Sequence, residues 1–300
     1  MDPKVSIVIV TWNGISDLRR CLESLKRLDY PNYDITVVDN ASSDGTADMM
    51  RQEFPQVDLV VLDKNVGRSQ GLNIGTARTD GQYVAHLDND VDVIDPRFLR
   101  TLVEAMKADE KIGACGPMVL DEGSDRIQAT GGTVDFRRVT SAYHPWVGLP
   151  DDGSLTDPID CDYIVGCAVL FRRSALDAVG HYDPRFVVYW DDVDICVMIK
   201  KQGLRVVSVP TARISHRVTG SAGPRSAFAY FHSAKNRIIF MRKHGTLIHW
   251  PGFLAGLLSQ PWPGISKRTR LKRWRIIYPS LLRAVWWNLL DGVKSSSRRK

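Results

Sequence analysis

Residues 4–14 read KVSIVIVTWNG, an apolar, β-branched run that ends in a polar turn. A short run of this kind, bounded by turn residues, is typical of a buried β-strand, here at 4–11. Residues 15–28 then place apolar side chains at helical spacing, which predicts an amphipathic helix directly after the strand. The stretch therefore predicts the first strand–helix unit of an α/β fold.

The same order of strand and helix continues to about residue 120. Further strands are predicted at 34–39, 57–62, 82–87 and 112–120, and further helices at 44–54, 69–78 and 96–108. This alternation predicts a Rossmann-like, mostly parallel central sheet with helices on both faces. After residue 120 the rhythm changes, and the predictions are short strands near 126–136 and helices at 174–180, 191–202 and 226–244.

The composition is that of an ordinary globular chain, with 44% hydrophobic and 25% charged residues among 300. The net charge of +6 is concentrated at residues 266–300, which hold 11 Lys or Arg and one acid, while the rest holds 29 basic and 33 acidic residues. This mildly acidic body argues against a nucleic-acid partner. The five scattered cysteines indicate reduced thiols, because their spacing fits neither a disulfide framework nor a zinc site.

Polar residues follow each of the first four predicted strands, starting at Thr11, Asp39, Asp63 and Asp88. In open α/β sheets, ligands bind beyond the carboxyl ends of the strands, so four polar endings predict a site at this edge. The sequence has no GxGxxG after the first strand and no GxxxxGK[ST]. We therefore expect neither a dinucleotide-binding fingerprint nor a P-loop.

Two carboxylates, Asp88 and Asp90, stand at alternate positions where the fourth strand ends. Such a pair can share one divalent cation that also binds a diphosphate. A calcium loop beginning at Asp88 would need Gly and Glu where the sequence has Val93 and Leu99, so that interpretation is poor. Ordinary turn and helix-capping chemistry is the alternative, and Asp92 is expected to belong to it or to support the site from outside.

A second acidic cluster, Asp191, Asp192 and Asp194, opens the helix predicted at 191–202. Acids at a helix N-terminus gain ~0.3–1 kcal/mol each from the helix dipole, so capping explains one of them. Crowded carboxylates can also include one with a raised pKa, suited to general-base chemistry. His216, which follows a predicted strand, is by itself as readily a surface histidine as a ligand.

Seven motifs in a fixed order resemble one known family. They read VSIVIVTWNG, ITVVDNASSDGT, NVGRSQGLNIG, GQYVAHLDNDV, VGCAVLFRRSALDAVGHYDPRF, YWDDVDICVMIKKQG and ARISHRVTGS, and cover roughly residues 4–240. Together they resemble the family 2 glycosyltransferases of the GT-A fold, in the rhamnosyltransferase-like bacterial branch. The resemblance implies an inverting glycosyltransferase that uses a nucleotide-sugar donor and Mg²⁺ or Mn²⁺.

The resemblance also implies roles for individual residues on the donor side. Asp88 and Asp90 match the DxD motif that binds the cation and the diphosphate, and His216 matches a histidine that completes the cation's ligands in some members. Asp39 matches the acid that contacts the base or the ribose. The residues expected along the nucleotide-sugar pocket are Thr11, Asn13, Asp39, Arg68, Asn73, Asp88 and Asn89.

On the acceptor side, Asp192 matches the catalytic base of an acidic pair. Asp191 stands where the family usually has Glu, so the choice of base between the two acids stays open. Arg68 lies where relatives often have small or aromatic residues, and it either meets a phosphate or reflects a different donor. The run at 166–168, GCA, is either a small-residue floor for the acceptor or sugar, or a place of close strand packing.

The end of the chain combines apolar and basic stretches. Residues 245–266 contain no charged residue, but Pro251, Pro261 and Pro263 argue against a straight membrane-spanning helix. The following basic segment predicts an amphipathic helix that contacts a membrane surface; packing on the catalytic domain and a dimer contact are the alternatives. Its apolar face is predicted to be Leu281, Leu282, Val285, Trp286, Leu289 and Leu290.

The predicted organisation is a GT-A domain at 1–244 and a membrane-associating extension at 245–300. The domain would divide into a nucleotide-sugar half at about 1–120 and an acceptor half at 121–244. Because the first residues show no secretory signal, we expect a cytoplasmic protein, peripheral on the inner face of the cytoplasmic membrane.

The expected reaction, in cell-wall or polysaccharide biosynthesis, is sugar transfer to a cell-envelope glycan or a polyprenyl-linked acceptor. The resemblance makes dTDP-rhamnose the first guess for the donor. UDP-sugar transferases of the same fold (galactofuranosyl, GlcNAc or glucosyl) and a non-catalytic protein that binds a nucleotide-sugar or a membrane are alternatives. A sugar-phosphate nucleotidyltransferase is disfavoured, because the turn after the first strand lacks a Gly-rich basic loop.

Overall fold

The computed structural model describes residues 2–136, 140–217, 226–259 and 270–297. The strands are β1 (Val5–Thr11), β2 (Tyr33–Asp39), β3 (Asp58–Val61), β4 (Tyr83–Asp88), β5 (Val91–Asp92), β6 (Ile112–Asp121), β7 (Ile127–Ala129), β8 (Gly132–Asp135), β9 (Thr140–Tyr143), β10 (Ile159–Asp160), β11 (Ala168–Arg172) and β12 (Arg205–His216). The helices are α1 (Ile15–Leu25), α2 (Thr46–Glu53), α3 (Arg68–Thr76), α4 (Phe98–Ala108), α5 (Arg173–Ala178), α6 (Asp191–Lys201), α7 (Ala227–His244), α8 (Trp250–Ser259) and α9 (Arg270–Ser297), with a 3₁₀ turn at Leu247–His249. The Gly/Ser loop predicted after His216 and residues 260–269 of the predicted extension lie outside the described residues.

Among the described residues, ten strands form one sheet in the order β10-β12-β6-β11-β4-β1-β2-β3, with β5 added to β12 and β7 to β6. Strands β3, β2, β1 and β4 are parallel, but β11 lies antiparallel between β4 and β6. Because β11 is antiparallel to both β4 and β6, β6 runs in the direction of β4, and β12 is parallel to β6. Most strands therefore run the same way, as predicted, but the sheet is mixed because β11 and β10 run the other way. The reason is that a short segment from the second half of the chain returns into the centre of the sheet.

The register of the parallel strands brings their polar ends to one edge. Thr11 of β1 lies opposite Asp39 of β2, and Val10 lies opposite Asp88 of β4. The long strand β12 ends at the same place, since His216 pairs with Val91 of β5. Side chains from distant parts of the sequence therefore meet at the carboxyl edge.

Helices cover both faces of the sheet, as predicted. One face carries Ile7 and Ile9 of β1, which join a hydrophobic core with Leu18 of α1 and Leu102 of α4. The other face lies against α3, where a Cβ added to Gly71 would approach Val10 to within 2.9 Å. This close packing of α3 brings its first residue, Arg68, near the carboxyl edge.

The loops after β1 and β2 are fixed by one carboxylate. Asp44 accepts hydrogen bonds from the backbone N–H of Ile15 at the start of α1 (3.0 Å) and of Thr46 at the start of α2 (3.1 Å). Asn13, with a left-handed backbone (φ 51°), accepts a hydrogen bond from the Ser43 N–H (2.8 Å). The first N–H groups of a helix have no partner within the helix, and Asp44 supplies one for α1 and one for α2.

The chain divides into two compact units. The first consists of Met1–Thr133, Ala142–Val187 and Asp191–Val218, and the second of Val134–Ser141, Val188–Trp190 and Thr219–Lys300. The first unit contains most of the large sheet and the carboxyl edge described above. The domain boundary predicted at residue 245 stays a prediction.

In the second unit, α9 packs on α7 through its small and polar side chains. Ser280, Ala284 and Asn288 are buried, and Asn288 Nδ2 donates a hydrogen bond to the Lys235 carbonyl (3.2 Å). Exposed positions on α9 include five of the six predicted apolar residues, namely Leu282, Val285, Trp286, Leu289 and Leu290. Within the described ranges, no helix has the length and apolar character needed to cross a membrane.

Candidate active site

Asp88, Asp90 and His216 form a cluster at the carboxyl edge, which we call the cation cluster. Asp88 ends β4, Asp90 lies in the turn to β5, and His216 ends β12. One ligand atom from each residue lies within 4.8 Å of the others, and His216 Nε2 is 3.1 Å from Asp90 Oδ1. The structure thus brings together the three residues that the sequence predicted as metal ligands.

His216 is oriented by Gln128 of β7. The Nδ1 atom of His216 lies 2.6 Å from Gln128 Oε1, so a proton on Nδ1 satisfies that oxygen and leaves Nε2 toward Asp90. Gln128 Nε2 in turn donates to Asp121 Oδ1 (2.9 Å). Burial by itself would lower the pKa of His216, but the hydrogen bond to Asp90 and the charges of Asp90 and Asp88 raise it above its ordinary value.

The residues of the cation cluster fit a divalent cation chemically. Carboxylates are preferred ligands of Mg²⁺ and Mn²⁺, and an imidazole suits a transition metal better than Mg²⁺. The Gln128 contact is the kind of outer hydrogen bond that fixes the tautomer of a ligating histidine. The mixed set of donors therefore favours Mn²⁺, while Mg²⁺ remains compatible with the two carboxylates.

Arg68 connects the cation cluster to a second pair of acids. Its Nε donates to Asp88 Oδ1 (2.8 Å) and its Nη1 donates to Asp191 Oδ2 (2.8 Å). Its Nη2 donates to the Gly166 carbonyl, and only 18% of the side chain is exposed. One guanidinium therefore touches Asp88 and Asp191, which are 103 positions apart in the sequence.

Asp191 and Asp192, which we call the acid pair, have different surroundings. Asp191 is buried, and it accepts hydrogen bonds from Arg68 and from Ser69 Oγ (3.3 Å). Asp192 accepts from two backbone N–H groups, those of Gly166 (3.0 Å) and Val193 (2.8 Å). Burial, and then the neighbouring Asp191 carboxylate, raise the pKa of Asp192 to about 7. A carboxylate with a pKa in this range can accept a proton near neutral pH.

Two residues in left-handed conformations come directly before the acid pair. Tyr189 and Trp190 have φ values of 67° and 66°, which are strained for non-glycine residues at ~1–3 kcal/mol each. Within the second unit, Asn236 Nδ2 donates to the carbonyls of Val188 and Tyr189, both at 2.7 Å. These hydrogen bonds hold the backbone turn from which α6 starts.

Gly166 is a backbone junction between Arg68 and Asp192, since its carbonyl accepts from the first and its N–H donates to the second. A Cβ at this position would lie 3.2 Å from Arg68 Nη2 and 3.3 Å from Asp192 Cβ, so glycine permits the close approach. Cys167 and Ala168 are buried at the start of β11, which favours the strand-packing explanation for them.

The predicted nucleotide-pocket residues from β1 and β2 also lie at the carboxyl edge. Thr11 Oγ1 accepts a hydrogen bond from Asn89 Nδ2 (2.9 Å), and both Thr11 and Asp39 are buried. Asp39 Oδ1 accepts from the Ser42 N–H (2.9 Å). Beside them, the Trp12 side chain is 44% exposed and offers a flat apolar surface.

A family model described as "Glycosyl transferase family 2" matches residues 6–180, more than half of the chain. The chain belongs to glycosyl transferase family 2. It is therefore a glycosyltransferase, as the order of its motifs predicted.

Two bacterial proteins are similar to this family 2 glycosyltransferase over most of its length. It is 28% identical over 264 residues to an N-acetylglucosaminyl-diphospho-decaprenol L-rhamnosyltransferase of Mycobacterium tuberculosis, a match that covers 80% of this chain and 85% of the relative. It is 28% identical over 230 residues to the O-antigen biosynthesis protein RfbC of Myxococcus xanthus. That match covers 73% of this chain but only 18% of the relative.

Solved structures share the fold of the glycosyltransferase at low sequence identity. GalNAc-T7, solved with UDP, GalNAc and Mn²⁺, matches with a TM-score of 0.68 at 19% identity, covering 90% of this chain and 54% of that one. The mannosyltransferase PcManGT from Pyrobaculum calidifontis, solved with GDP-Man and Mn²⁺, matches with a TM-score of 0.60 at 18% identity, covering 97% and 88%. The predicted GT-A fold is thereby confirmed.

Asn73 makes two hydrogen bonds with the backbone of Tyr182 that the sequence did not predict. Its Nδ2 donates to the Tyr182 carbonyl (2.8 Å) and its Oδ1 accepts from the Tyr182 N–H (3.0 Å). Contact with a nucleotide would require Asn73 to leave these partners. Its placement along the pocket stays a prediction.

Sequence reasoning missed Gln128 and the bridging position of Arg68. Gln128 lies in a Gly- and Asp-rich stretch without regular periodicity, so no local signal pointed to it. Arg68 was expected either to meet a phosphate or to reflect a different donor, and its bond to Asp191 depends on tertiary structure that spacing does not reveal. An Arg at the first turn of a helix was a usable signal, because the helix dipole disfavours a cation there.

Proposed function

We propose that this glycosyltransferase is an inverting, metal-dependent enzyme that transfers a sugar from a nucleotide-sugar to an acceptor hydroxyl. The observation that carries the proposal is the Arg68 guanidinium, which contacts both Asp88 of the cation cluster and Asp191 of the acid pair. Because of this contact, we assign the donor-binding residues and the catalytic base to one site.

On the donor side, Asp88, Asp90 and His216 would hold the divalent cation. When bound, the cation supplies positive charge to the departing nucleoside diphosphate. Thr11, Asn13, Asp39 and Asn89 would line the base and ribose at the same edge, and Trp12 offers a stacking surface for the base.

On the acceptor side, Asp192 is the proposed base. The acceptor oxygen forms a bond to the anomeric carbon while its proton passes to the Asp192 carboxylate. The bond from the anomeric carbon to the diphosphate oxygen breaks, and its electron pair leaves with the nucleoside diphosphate. A single displacement of this kind inverts the anomeric configuration.

For the substrates, we propose dTDP-rhamnose as the donor and a lipid-linked or other cell-envelope glycan as the acceptor. The Mycobacterium tuberculosis relative, named as a rhamnosyltransferase acting on a diphospho-decaprenol, supports this choice. A UDP-sugar donor is the second candidate, and the GalNAc-T7 structure with UDP and Mn²⁺ favours testing it.

The test is a panel of dTDP-, UDP- and GDP-sugars offered with Mn²⁺ or Mg²⁺ and a polyprenyl-diphospho-sugar acceptor. We expect transfer from dTDP-rhamnose, with inverted configuration in the product by NMR and loss of transfer in EDTA. Transfer from UDP-sugars alone would replace the donor assignment. Nucleotide-sugar binding without turnover of any donor would favour the non-catalytic alternative.

We further propose that α9 contacts a membrane surface on the cytoplasmic side. Its apolar side chains Leu282, Trp286 and Leu289 are 68%, 63% and 60% exposed. Residues 267–275 carry six Lys or Arg, and basic residues near anionic lipid contribute ~1 kcal/mol each. An exposed apolar face beside a basic run suits the surface of an anionic bilayer.

Cosedimentation with vesicles tests this contact. We expect binding to phosphatidylglycerol-containing vesicles, little binding to phosphatidylcholine vesicles, and a drop of at least about tenfold in the double variant Trp286→Ser/Leu289→Ser. Val61→Ser is the control, because Val61 is also exposed but lies on β3. Unchanged vesicle binding in the double variant, or a loss of dimers instead, would contradict membrane contact.

A further inference from the structure

Arg68 joins three elements of the first unit through one guanidinium. It donates to Asp88 at the end of β4, to Asp191 at the start of α6 and to the Gly166 carbonyl just before β11. The planar fork of an arginine can satisfy acceptors in several directions, which the single ammonium of a lysine does less well. The contacts therefore use the particular geometry of arginine.

The position of Arg68 in its helix is electrostatically unfavourable. Arg68 is the first residue of α3, where the helix dipole favours acids and disfavours cations. Its backbone is anchored separately, since the Arg68 N–H donates to the Val187 carbonyl (3.0 Å). Helix stability does not explain a cation at this position, whereas the two carboxylates in front of it do.

Asp88 belongs to the cation cluster and also pairs with Arg68. Its Oδ1 accepts the Arg68 Nε–H at 2.8 Å. A divalent cation that binds Asp88 meets the positive charge of Arg68 a few ångströms away and competes with it for the carboxylate. Asp191 lies outside the cation cluster, so its pairing with Arg68 meets no such competition.

We propose that Arg68 is an internal counter-ion of the metal-free site, neutralising Asp88 until a divalent cation takes that carboxylate and holding Asp191 throughout. This inference rests on the proposed function, because it assigns the cation to Asp88. Arg68 is then a positioning residue: it keeps Asp88 in place before the donor arrives and reserves Asp191 as a structural acid. Asp192 is left as the base.

Loss of Arg68 should strengthen Mn²⁺ binding. Removing Arg68 removes both the competitor and the repelling charge, so Mn²⁺ binds Arg68→Gln about tenfold more tightly than the wild type in the absence of nucleotide. A purely structural role predicts the opposite sign, because loss of support for Asp88 would weaken the site. Binding is measured by electron paramagnetic resonance of free Mn²⁺ at pH 8.

Further variants complete the experiment. Arg78→Gln is the matched control, since Arg78 pairs with Asp58 at the surface (3.0 Å), and its Mn²⁺ affinity stays at the wild-type value. Over Asp88→Asn alone, the double variant Arg68→Gln/Asp88→Asn gains clearly less affinity than Arg68→Gln gains over the wild type, because the carboxylate for which Arg68 competes is gone. If circular dichroism shows that Arg68→Gln does not fold, Arg68→Met, which keeps an unbranched side chain without the charge, is measured instead, and the same tightening is expected.

The outcomes separate this inference from the proposed function. Unchanged or weaker Mn²⁺ binding in Arg68→Gln, with clear binding by the wild type, overturns the counter-ion role and leaves the metal-dependent transferase intact. If neither the wild type nor the variants bind Mn²⁺, with or without UDP or dTDP, both proposals are overturned.

Discussion

The cation cluster and the acid pair each present two aspartates at one site, but the surroundings of these aspartates differ. Asp88 faces Arg68, and Asp90 faces His216, so both carboxylates of the strand end meet positive or proton-donating groups. In the acid pair, Asp191 takes the Arg68 contact, while Asp192 accepts from backbone N–H groups.

The two sets of surroundings suit the same residue type to two different tasks. Carboxylates that face cationic or proton-donating groups at a strand end are suited to bind a metal ion. A carboxylate whose pKa is raised to about 7 by burial and by an adjacent acid is suited to take a proton near neutral pH. Neighbouring acids with different surroundings can therefore take different roles.

The largest expected effect is that of Asp192→Asn. The amide keeps the size of the side chain but cannot accept the acceptor proton, so kcat should fall by ~10³-fold while donor and Mn²⁺ affinities stay within about twofold. Single-turnover transfer and calorimetric donor binding measure the two quantities. Asp177→Asn, at an exposed acid on α5, is the control. Near-normal transfer in Asp192→Asn would show that Asp192 is not the catalytic base.

A change in the other pair should act on binding. Asp90→Ala removes one carboxylate of the cation cluster and should weaken Mn²⁺ and donor binding by at least about 10²-fold. The control is Asp92→Ala, two residues along the chain, whose carboxylate pairs with Arg27 at 2.8 Å. Equal loss in both variants would show that general acidity of this edge, and not the cluster, matters.

A smaller effect is expected from the residue that orients His216. Gln128→Leu removes the acceptor of the Nδ1 proton, which should lower Mn²⁺ affinity by ~10–100-fold without a change in the affinity for nucleotide alone. Gln202→Leu, at an exposed glutamine, serves as the control. If Gln128→Leu binds Mn²⁺ with the affinity of the wild type, Mn²⁺ binding does not depend on the contact between His216 and Gln128.

The smallest expected effect is a shift in pH dependence. Asp192 acts in its ionised form, so kcat should rise with pH through about 7. The Asp191 charge raises the pKa of Asp192, and Arg68 lowers it. The variant Asp191→Asn should therefore move the rise in kcat to lower pH. If the rise in kcat stays at the same pH or moves to higher pH in Asp191→Asn, the charge of Asp191 does not raise the pKa of Asp192.

Much of the fold could be predicted, because the first 120 residues carry regular strand and helix patterns. The antiparallel strand β11 could not, since five residues inserted between β4 and β6 give no sign of their partners. The polar strand ends placed Thr11, Asp39 and Asp88 at one edge correctly, because parallel strands in register end together.

The site was predictable where short spacing carried the signal and not where tertiary contacts decide. Asp88 and Asp90 stand two residues apart, and the structure places His216 of a distant strand beside them, while their role as metal ligands stays a prediction. The support from Gln128 and the left-handed turn at Tyr189 and Trp190 had no sequence signal, because neither residue type favours its role.

The most direct test of these assignments is one Mn²⁺ titration of the wild type, Asp90→Ala and Asp192→Asn, each in the presence of dTDP or UDP. If the cation cluster binds the metal and the acid pair does not, Asp192→Asn binds Mn²⁺ as the wild type does, while Asp90→Ala loses binding. Loss of Mn²⁺ binding in Asp192→Asn, or its retention in Asp90→Ala, would contradict the division between the two pairs.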